Sequence, residues 1–162
     1  MDNNQIKVGI ADLNFVLPPG TIITIGLGSC VGIALYDSTK KIAGLSHIML
    51  PDSTQFKNNN TPMKIADTAI PILIDKLIEA GCLKSSLKAK IAGGASMFNF
   101  KDKTLVSDIG QRNAEAVKLA LKKEGIPIAA EALGGNKGRT MIVNSEDGSV
   151  TIRVAGGNTF QL

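Results

Sequence analysis

The stretch that most constrains the fold is Thr24-Ile-Gly-Leu-Gly-Ser-Cys-Val-Gly-Ile-Ala-Leu-Tyr-Asp37, where two strand-like apolar runs meet at a glycine-rich turn carrying a cysteine. Thr21–Ile25 is β-branched at every position, which favours extended backbone up to the turn. Gly26 and Gly28 can then take positive φ and let the chain approach a ligand closely, where a Cβ would interfere. A turn of this kind leaves backbone N–H groups near Gly28, Ser29 and Cys30 unpaired. Such groups can form an oxyanion hole if Cys30 attacks a carbonyl.

His47 is the only histidine in the chain. With Val31–Tyr36 and Ile42–Leu50 as antiparallel strands joined by Asp37–Lys41, the chain folds back near Ser38–Thr39. A plain register then places Cys30 opposite His47, at a cross-strand Cβ separation of roughly 4.5–5.5 Å. A slip of one residue would put them on opposite faces. A cysteine beside an imidazole can ionise to thiolate, and the imidazolium can protonate a leaving group. The spacing alone is equally that of a small buried thiol, and Thr24 alone is simply a strand residue.

Composition narrows the alternatives. At 162 residues, 44% hydrophobic and 20% charged, the chain suits one domain spanning 1–162 with a single core. The net charge of +4 is spread over scattered basic residues, and the aromatics are five Phe and one Tyr. That gives no interleaved basic and aromatic surface for nucleic acid. No apolar run is long enough for membrane insertion, and no signal peptide is readable, so a cytoplasmic protein is expected. In that reducing setting both cysteines are expected as thiols, Cys82 as a packing residue. One histidine and two distant cysteines offer no metal spacing, and Gly26-x-Gly28 lacks the helix and third glycine of a dinucleotide site.

Ile6, Val8 and Ile10 alternate as one first strand, with Pro18-Pro-Gly20 as the next turn. Asp52–Thr61 reads as a loop. From Pro62 the positions Ile65, Ala69, Leu73 and Leu77 form a helical stripe to a Gly81 stop, kinked or divided at Pro71. Leu87–Ala92 is a strand ending at Gly93-Gly94, Val106–Glu124 a helix with Ala116, Leu119 and Ala120 inward, and Ile126–Leu133 a strand ending at Gly134-Gly135. The last hairpin pairs Thr140–Asn144 with Val150–Val154 through a type I′ turn at Asp147-Gly148. This order predicts an α+β fold with mixed or antiparallel sheets. With Gly156-Gly157 after the last strand, three strands end in a glycine pair, and if these turns cluster at one sheet edge, Arg112, Asn113, Asn136 and Arg139 become candidate substrate contacts.

Five blocks occur together in order: Thr24-Ile-Gly-Leu-Gly-Ser-Cys30, His47-Ile-Met-Leu-Pro-Asp-Ser53, Ile91-Ala-Gly-Gly-Ala-Ser-Met-Phe98, Ile109-Gly-Gln-Arg-Asn-Ala-Glu-Ala-Val117 and Gly134-Gly-Asn136. From Ile6 to Gly157 the chain resembles the CheD family of chemoreceptor glutamine deamidases. The resemblance implies two packed sheets flanked by helices in a cysteine-hydrolase-like domain, and conversion of receptor glutamines to glutamate. It implies Cys30, His47 and Thr24 as the catalytic set, with Thr24 orienting the imidazole through its hydroxyl or its carbonyl. No cofactor is implied. The partners implied are the cytoplasmic domain of chemotaxis receptors and the CheC phosphatase, with some methylesterase activity alongside. A binding module acting on CheC with little hydrolysis is the alternative, separable by ammonia release from receptor. A thiol redox enzyme would want a resolving cysteine close to Cys30, and none lies within ten residues.

Overall fold

The computed structural model describes residues 4–54, 61–96 and 109–162. The strands are β1 (Asn4–Val8), β2 (Asp12–Val16), β3 (Gly20–Leu27), β4 (Val31–Asp37), β5 (Ile42–Ile48), β6 (Leu87–Gly93), β7 (Ile128–Leu133), β8 (Arg139–Asn144), β9 (Val150–Val154) and β10 (Thr159–Gln161). The helices are α1 (Ala66–Glu79) and α2 (Ile109–Lys123). Among the described residues these form two mixed five-stranded sheets, ordered β1-β3-β8-β9-β10 and β2-β5-β4-β6-β7. Each contains one parallel pair, β1 with β3 and β6 with β7. The expected α+β architecture of two packed sheets with helices is the one observed.

Alternation along β4 and β5 builds three layers. Val31, Ile33, Leu35, Ile42 and Ile48 face one way and pack with Ala69, Leu73 and Leu77 of α1 and Val117 of α2. Ala34, Ala43 and Leu45 face the other way and meet Ile22, Met141, Val143 and Ile152 of the first sheet. The β4–β5 sheet is therefore buried on both faces, which is why its strands read as continuous apolar runs. Gly44 lets α1 lie close: a Cβ there would sit 2.9 Å from Leu73 Cδ1 and 3.0 Å from Leu77 Cδ1.

Several local expectations change. The single first strand is two, in different sheets, because the chain turns at Ala11 with φ 61° and leaves Ile10 56% exposed. The α2 stripe turns inward at Asn113, Ala114, Val117 and Leu121, whereas Leu119 points outward at 69% exposure. The start of that helix at 106–108, and most of the 52–61 loop, lie outside the described residues. α1 runs through Pro71 as one helix. The β8–β9 connection has positive φ at Gly148 alone (73°), not at Asp147, so it is a longer loop rather than a type I′ turn, which needs two left-handed residues. β10 has no counterpart in the sequence reading.

Candidate active site

Cys30 sits in the short link between β3 and β4, which lie in different sheets. The bend before it is made at Gly26, with φ 82°; Gly28 does not take positive φ. Three consecutive carbonyls of the link are held by hydrogen bonds. Gly28 O accepts from Ala95 N–H at 2.8 Å and Cys30 O from Gly94 N–H at 2.9 Å. Ser29 O accepts from Asn113 Nδ2 at 2.9 Å. Gly28 N–H is itself bonded to Gly26 O at 3.1 Å. Among the described residues, no other residue accepts from the N–H groups of Ser29 and Cys30.

His47 does not face Cys30 directly. It pairs with Gly32, and Val31 with Ile48, so the hairpin register is two residues away from the one expected. The cause is the turn: Asp37 pairs with Ile42, its Oδ1 accepts from Thr39 N–H at 2.9 Å and Lys40 N–H at 3.1 Å, and Lys41 takes φ 57°. A shift of two preserves strand parity. Cys30 and His47 therefore share the face that looks into the layer between the sheets, and Cys30 packs against that apolar cluster.

Thr24 reaches the same layer from the opposite sheet. Its hydroxyl lies 2.7 Å from His47 Nδ1 and 2.7 Å from the Val8 carbonyl. A carbonyl can only accept, so the single hydroxyl hydrogen goes to Val8, and Nδ1–H must donate to Thr24 Oγ1. The proton is thus fixed on Nδ1, and Nε2 carries the lone pair. Nε2 is buried with no hydrogen-bond partner among the described residues, the Cys30 thiol included. Of the two Thr24 atoms considered from sequence, the hydroxyl is the one in contact.

The electrostatics differ from a preformed thiolate–imidazolium pair. Burial lowers the His47 pKa to about 4. Burial also raises the Cys30 thiol above its ordinary value, against a smaller lowering by its own backbone N–H. Both groups are neutral at rest. Because His47 is fully buried, folding disfavours its protonated form. Stability is complete above the unfolded value near 6.5, falls as pH drops toward about 4, and levels off below that. The loss should be on the order of 3 kcal/mol. Urea unfolding between pH 7 and 4 should show it in the wild type and much less in His47→Gln, and equal losses in both would contradict it.

The four candidate substrate contacts fare unequally. Asn113 is fully buried, and its amide donates to Ser29 O and Met49 O, both at 2.9 Å, so it is committed inside the protein. Arg139 is spent on the carbonyls of Ala132, Gly134 and Lys137. Both tie segments together in the structure: Asn113 holds carbonyls of the β3–β4 link and of the segment just after β5, and Arg139 holds carbonyls at and beyond the end of β7. Asn136 is exposed on that loop. Arg112 lies near Asp52, whose carboxyl is held below its usual range by hydrogen bonds from Thr54 and, to a smaller extent, by the Arg112 charge. Two of the glycine pairs do adjoin, through Gly134 N–H to Gly93 O at 3.0 Å. Cys82 is buried in the helix-side core, and its thiol is pushed up to about 11, chiefly by burial.

Residues 49–154 match the family model described as CheD chemotactic sensory transduction. Curated relatives named "Probable chemoreceptor glutamine deamidase CheD" are 65% identical over 162 residues in Clostridium botulinum strain Alaska E43, covering all of both chains, and 63% identical over 156 residues in Clostridium novyi strain NT, covering 96% of each. The relative of the same name in Clostridium botulinum strain Eklund 17B is 64% identical over 162 residues, again covering all of both chains. A solved structure, the Bacillus licheniformis hypothetical protein YfiH, superposes with a TM-score of 0.46 at 14% identity, over 75% of this chain and 49% of its own. With the match of the family model and identities above 60% along the whole chain, this protein belongs to the CheD family.

Proposed function

We propose that this protein is a chemoreceptor glutamine deamidase in which Cys30 is the nucleophile, His47 the general base and acid, and Thr24 the residue that orients His47. The observation that carries the reading is the Val8–Thr24–His47 chain of hydrogen bonds. It leaves Nε2 as an unpaired base in the layer that also holds Cys30. The name borne by relatives at 63–65% identity supplies the substrate class.

As the Cys30 sulfur attacks the glutamine side-chain carbonyl carbon, the thiol proton passes to His47 Nε2, so no free thiolate has to accumulate. Substrate binding must first bring sulfur and Nε2 within hydrogen-bond reach, a tightening common in such sites. The carbonyl oxygen becomes an oxyanion received by the N–H groups of Ser29 and Cys30. The imidazolium gives its proton to the departing nitrogen, the C–N bond breaks, and ammonia leaves a thioester. Water then attacks, His47 takes its proton, the C–S bond breaks, and the thiol is restored beside a glutamate. The reading places the protein in the cytoplasm, acting on receptor cytoplasmic segments, with CheC as a partner on family resemblance.

The test is incubation with a folded receptor cytoplasmic fragment. Ammonia release matched by the mass gain of NH2 replaced by OH at particular glutamines is expected, with free glutamine turned over far more slowly. Equal rates on both substrates, or no ammonia from receptor, would overturn the reading.

A further inference from the structure

Asn113 lies on the buried side of α2, and its amide donates one hydrogen to Ser29 O and one to Met49 O. It thereby joins the cysteine link to the segment just after the histidine strand. Its Oδ1 is buried without a partner among the described residues. An unpaired buried acceptor is costly, and packing alone would favour an apolar residue here. What the amide uniquely offers is two donors aimed at two carbonyls.

A trans peptide is planar, with its C=O and N–H pointing in opposite directions. Holding the Ser29 carbonyl toward α2 therefore turns the N–H of Cys30 away from α2. Among the described residues, the flanking carbonyls are held by backbone, from Ala95 and Gly94, and the central one by a side chain. We infer that Asn113 is a positioning residue that aims the Cys30 N–H at the oxyanion by anchoring the Ser29–Cys30 peptide. This rests on the deamidase reading for its substrate, though not for the geometry.

The experiment compares wild type and Asn113→Ala on three reactions: deamidation of the receptor fragment, hydrolysis of p-nitrophenyl acetate, and alkylation by iodoacetamide. The first two develop an oxyanion, and alkylation, a displacement at saturated carbon, does not. Expected is a fall of about 100-fold in kcat on both carbonyl substrates, KM within about twofold, and alkylation within about twofold. Parallel loss of alkylation would mean a collapsed link, and an unchanged kcat would mean no role; either overturns the inference. Wild type that hydrolyses the ester but not receptor glutamine sinks the deamidase reading and leaves this inference to be judged on the ester. If the alanine variant does not fold, Asn113→Asp keeps the shape but donates only when protonated. Its activity relative to wild type should then recover as pH is lowered. A ratio flat in pH, or failure of both variants to fold, overturns the proposal.

Discussion

Replacing Cys30 with alanine is expected to lower receptor deamidation by at least about 10⁴-fold, since in the proposed mechanism its sulfur forms the thioester. The fold should survive, because Cys30 is only partly buried, in a link whose carbonyls are held by Ala95, Asn113 and Gly94. Cys82→Ala is the control. That thiol sits in the helix-side core with its pKa raised to about 11, so it is a poor nucleophile, and its loss should cost some stability but little turnover. Ammonia release by both variants, alongside urea unfolding, decides the matter. An active Cys30→Ala enzyme beside an inactive, folded Cys82→Ala enzyme would remove Cys30 from the mechanism.

Gly93→Ala should be as damaging to activity by a different route. Gly93 closes the β4–β6 pairing opposite Val31 and takes φ 116°, which side-chain-bearing residues rarely adopt. A Cβ there would lie 2.1 Å from the Cys30 carbonyl oxygen and 3.1 Å from Val31 Cα, both backbone atoms without freedom to rotate aside. Backbone must move, opening the contact that seats the cysteine link. A loss of about 3–5 kcal/mol is expected, combining the left-handed strain with the displaced strand. That corresponds to a fall in melting temperature of roughly 10 °C or more for a chain of this length. A variant with wild-type melting temperature and turnover would show that the link does not depend on this close approach. Gly156→Ala, also at positive φ (65°) but with open space around its Cβ, gives the strain without the collision.

The parts legible in the sequence were those governed by local preference. The β-branched run before Gly26, the Gly81 stop and the extended apolar runs of β4 and β5 each follow from backbone sterics or residue preference, and each is found in the structure. Register was less accessible. The hairpin moved by two residues because Asp37 caps the turn and Lys41 takes a left-handed conformation, and neither has the signature of Asn-Gly or Asp-Gly. The break between β1 and β2 has a similar cause, a left-handed Ala11 in place of a glycine. Periodicity gives the width of the α2 stripe but not which neighbour it meets, so Leu119 reads as inward and lies outward.

The sequence by itself determined that a strand would deliver a cysteine to a glycine turn and that a lone histidine would follow on the adjacent strand. Only the tertiary structure decided how those groups are set. Thr24 and His47 are 23 residues apart and belong to different sheets, so their hydrogen bond exists only once the sheets stack. Asn113 reaches carbonyls 84 and 64 residues away, and no local pattern marks an amide that will serve as a donor rather than a surface contact. The neutral state of both Cys30 and His47 likewise comes from desolvation, a property of the closed layer between the sheets. Short-range sterics and periodicity can be read along a chain, whereas hydrogen bonds and burial between distant segments come into being only when the layers close.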